Sequence, residues 1–250
     1  MAKNANEALL HAAKIGCLRG VKTALKAGAD IDYAQEGNEL TGSRIVRTAL
    51  FFASEAGHAD VVRLLIRKGA SLTKRSTDTS APPLLIAASE GHTKVVDLLV
   101  HHGATLDTRD CFQRTPLMMA CIFRRADTIR RLIELGARVD LTDANGLTAQ
   151  GYCELNVVGF GCVPKELMEL IQEALRTKLL KCCNPTCGKP GYRSTLKICG
   201  QCKLTRYCSR DCQRQHWLAG HKMCCGHDAY SEDMIRRDFR KFQMRKYCVL

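Results

Sequence analysis

Nine of the chain's 15 cysteines fall between Cys182 and Cys225. Taken with one histidine, Cys183, Cys187, Cys199, Cys202, Cys208, Cys212, His221 and Cys225 read C-x3-C-x11-C-x2-C-x5-C-x3-C-x8-H-x3-C. Thiolate and imidazole are soft donors, and eight of them in four close pairs suit two tetrahedral zinc ions. Local geometry can tie each pair to one metal. Cys199 and Cys202 bracket a tight knuckle containing Gly200, while Cys208/Cys212 and His221/Cys225 are i,i+4 pairs that share one side of a helical turn. Cys182 rivals Cys183 and Cys224 rivals Cys225; Cys183 and Cys225 are the preferred members. Four protein donors per metal leave no open coordination position, so the expected role is structural and not catalytic.

The alternative for a cysteine-dense stretch is a disulfide module. Met1–Leu10 has no long apolar run after a basic start, and no window approaches 18 consecutive apolar residues. An intracellular, reducing location is therefore expected, nucleus or cytoplasm left open, and it favours metal. The large apolar residues near the donors are few: Tyr192, Leu196, Ile198, Leu204, Tyr207, Trp217 and Leu218. Burial alone is too little to fold such a segment. Binding zinc contributes on the order of 10–16 kcal/mol per structural site in finger peptides, which becomes folding free energy.

The element that precedes this segment repeats itself. Thr48-Ala49-Leu50, Pro82-Pro83-Leu84 and Thr115-Pro116-Leu117 place their leucines 34 and 33 residues apart. Gly28-Ala29, Gly69-Ala70, Gly103-Ala104 and Gly136-Ala137 recur in step, and apolar runs such as Val61-Val62-x-Leu64-Leu65 lie between. Each unit predicts a short helix from a Thr-Pro step, a turn at Gly-His, a second helix with an apolar face, and a glycine that supplies a left-handed cap. One unit cannot bury that face alone and must stack on copies of itself. Pro164–Leu180 is read as a single closing helix.

Charge divides the chain in the same place. Of the formal +13, residues 176–250 carry +12. Ile235, Phe239, Phe242 and Met244 alternate there with Arg236, Arg237, Arg240, Lys241, Arg245 and Lys246, which predicts a helix with a basic outer face. Such a face can attract acidic protein or nucleic acid. No Gly-rich phosphate loop or nucleophile elbow is present.

The first 175 or so residues resemble the ankyrin repeat in period, Thr-Pro-Leu step, Gly-His turn and Gly-Ala cap. Asp32–Arg47 forms an extended finger in that reading, and Arg124-Arg125 replace Gly-His in the fourth unit. The resemblance implies protein binding by fingertips and the concave helix face, with Arg109, Asp110, Phe112, Arg114, Asp143 and Asn145 as exposed tip candidates. Residues 183–225 resemble the MYND zinc finger: Tyr207-Cys208-Ser209-x-x-Cys212-Gln213, the tryptophan, and His221-Lys222-x-x-Cys225 all match. That resemblance implies crossed pairing, Cys183 and Cys187 with Cys208 and Cys212 on one zinc, Cys199 and Cys202 with His221 and Cys225 on the other. It also implies a shallow groove at Gln213 and Trp217 for proline-rich peptides. His216, four residues past Cys212, is a second possible ligand, but the preferred reading is a surface histidine beside Trp217.

The expected fold is mostly α: an ankyrin-repeat solenoid over residues 4–180 with about five units, a two-zinc MYND-type module over 182–225, and a basic C-terminal helix or tail over 226–250. The expected function is a non-enzymatic protein–protein interaction adaptor or scaffold, with no catalytic residues, no small-molecule substrate and no membrane span. The alternative is a nucleic-acid-associated regulator acting through the basic C-terminal region.

Overall fold

The computed structural model describes residues 2–35, 47–76, 80–155, 165–177, 179–184, 186, 187, 189–192, 196–199 and 205–222. It is mostly helical. Helices come in antiparallel pairs: α1 (Ala2–Lys14) with α2 (Leu18–Lys26), α3 (Ala49–Glu55) with α4 (Ala59–Arg67), and α5 (Pro83–Glu90) with α6 (Thr93–His101). They continue with α7 (Pro116–Ile122) and α8 (Ala126–Leu135), then α9 (Ala149–Glu154) and α10 (Lys165–Thr177). The first helices of successive pairs pack in one layer and the second helices in another. Between the layers runs one core that includes Leu50, Val62, Leu84, Val96, Leu99, Leu117, Ile129, Leu132 and Ile171. Fully burying each such side chain stabilises by about 1.5–3 kcal/mol. Ala53, Ala87 and Ala120 are completely buried on the first helices of their pairs, which pack on one another.

Caps start these helices as the residue types require. The Thr48, Thr115 and Thr148 hydroxyls accept from the N–H groups of Phe51, Met118 and Gly151 at 3.2, 3.3 and 3.2 Å. Each such cap is worth about 1 kcal/mol. Pro83 and Pro116 occupy the first turn, where their missing N–H costs nothing.

The Gly-His turns hold neighbouring units together. His58 Nε2 donates to the Lys14 carbonyl at 3.1 Å, and His92 Nε2 to the Glu55 carbonyl at 2.9 Å. In each case the ring occupies the space beside the preceding unit's turn glycine. A Cβ on Gly57 would lie 2.5 Å from His92 Nδ1. Arg125, which breaks the Gly-His pattern in sequence, keeps its function: Nε donates to the Ser89 carbonyl at 2.8 Å. Arg124 stands where the glycine would be, at φ 56°, and its guanidinium reaches forward to the Cys153 and Leu155 carbonyls.

At the finger side, Asp32 accepts from the Ser71 N–H and Asp107 from the Arg138 N–H, both at 2.9 Å. Each bond joins one unit's finger to the next. β1 (Ala34–Gln35) pairs antiparallel with β2 (Arg47–Thr48) at the base of the long finger, whose residues 36–46 lie outside the described residues. Two expected tip residues are instead buried. Asp110 accepts from the N–H groups of Phe112 and Arg114 and from the Arg114 guanidinium at 2.7 Å; Asp143 accepts from the N–H groups of Asn145 and Leu147 and the Tyr152 hydroxyl. Both carboxylates organise their own turns, so they are not contact residues. Arg109, Phe112 and Arg114 are half-buried, and Asn145 is exposed.

After α10 the chain turns to short strands. The helix expected over Pro164–Leu180 is shorter than its apolar pattern suggests: Leu179–Lys181 form β3, pairing antiparallel with β4 (Pro190–Tyr192). Ladder bonds to a partner strand replace the helical ones, a case of tertiary context overriding propensity. β5 (Lys197–Ile198) pairs with β6 (Arg206–Tyr207), then α11 (Arg210–His216) leads into a π-helical turn, Trp217–His221. Cys202, Cys224, Cys225 and the expected C-terminal helix fall outside the described residues. No described helix is long and apolar enough to cross a membrane.

Candidate metal centre

Two hairpins and one helix converge their sulfurs. The thiols of Cys182, Cys187, Cys208 and Cys212 all lie within 4.8 Å of one another. Cys187 and Cys208 are 3.6 Å apart, Cys208 and Cys212 3.5 Å. Zinc–sulfur bonds of about 2.3 Å place tetrahedral sulfurs about 3.8 Å apart, so these edges fit one zinc ion. The chemistry of the donor set, four thiolates and no oxygen, selects zinc over harder cations.

Each donor has a local cause. Ser209 caps α11 by accepting from the Cys212 N–H at 3.1 Å, and the helix then carries Cys212 inward. The Cys187 N–H donates to the Asn184 carbonyl at 3.0 Å, which closes the loop before it. Asn184 is buried, donating to Gln215 of α11 at 2.8 Å and accepting from Thr186. Sequence reasoning passed over Asn184; its place before proline in the donor loop is the signal that it shapes a turn.

Cys182, not Cys183, stands in the cluster. The Cys182 N–H donates to Lys189 O at 2.9 Å, extending the β3–β4 pairing, and the side chain is buried. Cys183 faces β6 instead: its N–H donates to Arg206 O at 2.7 Å and its sulfur accepts from the Arg206 N–H at 3.3 Å. Adjacent residues of an extended segment point to opposite sides, so only one of the two can reach the centre. Burial pushes the Cys182 thiol up to about 12, whereas the hydrogen bond with Ser209 pulls Cys212 down to about 7. A metal must displace those protons, so loading strengthens as pH rises.

The other donor pairs are described in part. Cys199 and His221 are buried and meet at Thr205: the Cys199 N–H donates to the Thr205 carbonyl at 2.9 Å, and His221 Nε2 lies 3.3 Å from the Thr205 hydroxyl. His216 is buried, contrary to its expected surface position. Its ring stacks on His221 at 5.1 Å, and its Nδ1 lies 2.9 Å from the Tyr207 hydroxyl. Burial pushes its pKa down to about 3, so the ring is neutral and behaves as core. It sits four residues after Cys212, on the same inward face of α11. Gln213 is half-buried. Trp217 is half-buried against the cysteine cluster, edge-on to His221, while its neighbour Leu218 is 80% exposed.

Comparison with known proteins assigns both halves. Family models of the ankyrin repeat match residues 47–77 and, as three copies, 73–143; a model of the MYND finger matches residues 182–225. The chain carries ankyrin repeats followed by a MYND zinc finger. Ankyrin repeats and MYND fingers are interaction domains, and the MYND finger implies zinc. Among curated relatives, ubiquitin carboxyl-terminal hydrolase 19 of Arabidopsis thaliana is 41% identical over 58 residues, 23% of this chain and 8% of that protein. The ankyrin repeat and KH domain-containing protein mask-1 of Caenorhabditis elegans is 37% identical over 79 residues, 32% of this chain and 3% of that protein. Ubiquitin carboxyl-terminal hydrolase 17 of Arabidopsis thaliana is 51% identical over 51 residues, 19% of this chain and 7% of that protein. The chain thus spans less than a tenth of the length of each.

Proposed function

We propose that this chain is a non-enzymatic adaptor whose ankyrin surface holds one protein while its MYND finger holds a proline-rich peptide of another. The observation that carries the reading is the closed four-thiol cluster of Cys182, Cys187, Cys208 and Cys212. Four protein donors leave a zinc ion no site for substrate, so the metal folds the module and does no chemistry. In this reading a second structural zinc is held by Cys199, Cys202, His221 and Cys225. The ankyrin array extends beyond the matched repeats to α1 and α2 at one end and α9 and α10 at the other, because those pairs share the same two layers and core.

Gln213 and Trp217 form the peptide groove. The half-buried Trp217 ring rests on the cysteine-lined core and keeps part of its surface outward, beside the exposed Leu218. An extended proline-rich strand suits such a wall because its conformation is ordered before binding and the aromatic ring receives the prolines. The test is Trp217→Ala, read by fluorescence anisotropy with a labelled proline-rich peptide. Affinity should fall by at least about tenfold, the loss of a buried aromatic anchor, with zinc content unchanged. Unaltered affinity removes the groove.

A further inference from the structure

We propose that the zinc module and the ankyrin array form one cooperative unit, joined where Gly220 of the π-helical turn seats against His102 and Gly103 at the end of α6. This rests on zinc being the element that orders the module.

The contact is backbone on backbone. A Cβ on Gly220 would overlap the His102 carbonyl oxygen, and one on Gly103 would overlap the Gly220 carbonyl carbon and the His221 nitrogen. No residue other than glycine fits on either side without moving the partner. The equivalent cap glycines of the first two units set Gly103 apart. Gly28 and Gly69 have the same left-handed backbone, at φ 84° and 92° against 99° for Gly103, yet a Cβ on either would meet nothing within 4 Å. The repeat requires glycine at all three positions for conformation; only at Gly103 does it also admit another part of the chain. Beside the contact lies a cleft of about 630 Å³, with Asp32, Ser71, Lys74 and His102 from the array facing Ala219 and Gly220 from the module.

Coupling follows from chain connectivity. Gly220 adopts φ 138°, a backbone that only glycine takes readily, and the residue after it is His221, which is completely buried and, in the function proposed above, a ligand of the second zinc. A metal that fixes His221 fixes Gly220, and Gly220 covers the last turn of α6. Removing the metal frees that turn and uncovers His102 and Gly103. Two consequences follow: partners bound to the two modules are held in a set orientation, and metal occupancy governs the local stability of the third ankyrin unit.

Hydrogen exchange on the full-length protein tests this, comparing the zinc-loaded form with the same protein treated with EDTA. The reporter amides are His102, Gly103 and Ala104, which donate to Leu98, Val100 and Leu99; Ala137, which donates to Leu132 in the next unit, is the internal reference. Metal analysis by mass spectrometry confirms loading and removal, so failure of the zinc reading is seen separately as absent metal. Zinc removal should speed exchange at the three reporters roughly fivefold or more relative to Ala137, the lower end of coupling between sites. Gly69→Ala and Gly103→Ala impose the same backbone strain, but only the second blocks the contact. The zinc response should persist in Gly69→Ala and vanish in Gly103→Ala. Reporter exchange indifferent to zinc in the unsubstituted protein overturns the proposal, as does a Gly103→Ala protein that responds like Gly69→Ala.

Discussion

Asp107 should make the ankyrin array less stable as pH rises, against the usual trend for carboxylates. Its side chain is buried beneath the finger of the third unit, where it accepts from the Arg138 N–H at 2.9 Å. Burial raises its pKa from the ordinary 3.8 to about 6, outweighing the Arg138 hydrogen bond and the charges of Arg138 and Arg109. Between pH 3.8 and about 6 the folded state therefore holds a proton that the unfolded state has released. Stability is highest below this window and falls as pH rises through it. At 1.36 kcal/mol per pKa unit the loss amounts to about 3 kcal/mol by neutral pH. Asp107→Asn keeps the acceptor for Arg138 and carries no charge at any pH, so it lacks this loss. The assay is urea denaturation of both proteins from pH 4 to pH 7.5, followed by helical circular dichroism. The quantity of interest is the variant-minus-parent difference, in which titrations common to both proteins, including those of the zinc ligands, cancel. That difference should rise toward the variant by about 2–3 kcal/mol across the range. A difference that stays flat, or moves toward the parent, refutes the reasoning and means that the guanidinium groups of Arg138 and Arg109 compensate the buried carboxylate.

Cys208→Ser should release one zinc ion per chain, because Cys208 lies within 3.6 Å of two other sulfurs of the cluster; metal analysis that still finds the parent's content would exclude the four-thiol site. Gly57→Ala should destabilise more than Gly146→Ala. Both glycines have positive φ, which costs a substituted alanine roughly 1–2 kcal/mol, but only at Gly57 does the added methyl strike a histidine ring, for roughly 1–3 kcal/mol more. Equal shifts in urea midpoint would show that His92 moves aside freely.

The repeat was legible because its signals are local and recur: threonine caps, prolines at helix starts and alternating apolar faces each state their structure within a few residues. Within the four-thiol cluster the donors were legible by spacing down to one residue: Cys187, Cys208 and Cys212 stand there as expected, and Cys182 takes the place expected of Cys183. The choice between Cys182 and Cys183 depends on how β3 pairs with β4, since the Cys182 N–H bonds to Lys189 and thereby aims its sulfur. Strand register of that kind is a long-range property that no window around the cysteines contains. Asp110 and Asp143 were misjudged for a different reason. The resemblance to the ankyrin repeat puts them at exposed fingertips, yet each has enough backbone N–H groups within four residues to satisfy a buried carboxylate. Arg124 and Arg125 looked like a departure from the repeat because the sequence shows residue type and not reach; a guanidinium spans to the Ser89 carbonyl as an imidazole does in the units before it.

Gly220 joins these levels. His221 follows Cys212 by nine residues, and at about 100° per residue an uninterrupted α-helix would place the two on opposite faces. One of them would then point to water. Gly220 at φ 138° kinks the chain after Trp217, so that His221 turns back beneath Thr205 and is completely buried. Glycine is thus required at 220 by the metal module alone, before any contact with the array is considered. The absence of a side chain there is also what lets the backbone of His102 and Gly103 approach. A substitution at Gly220 would disturb His221 and the docking contact together and could not separate them. Gly103 can, because its own unit needs only the left-handed cap that Gly28 and Gly69 supply in open space.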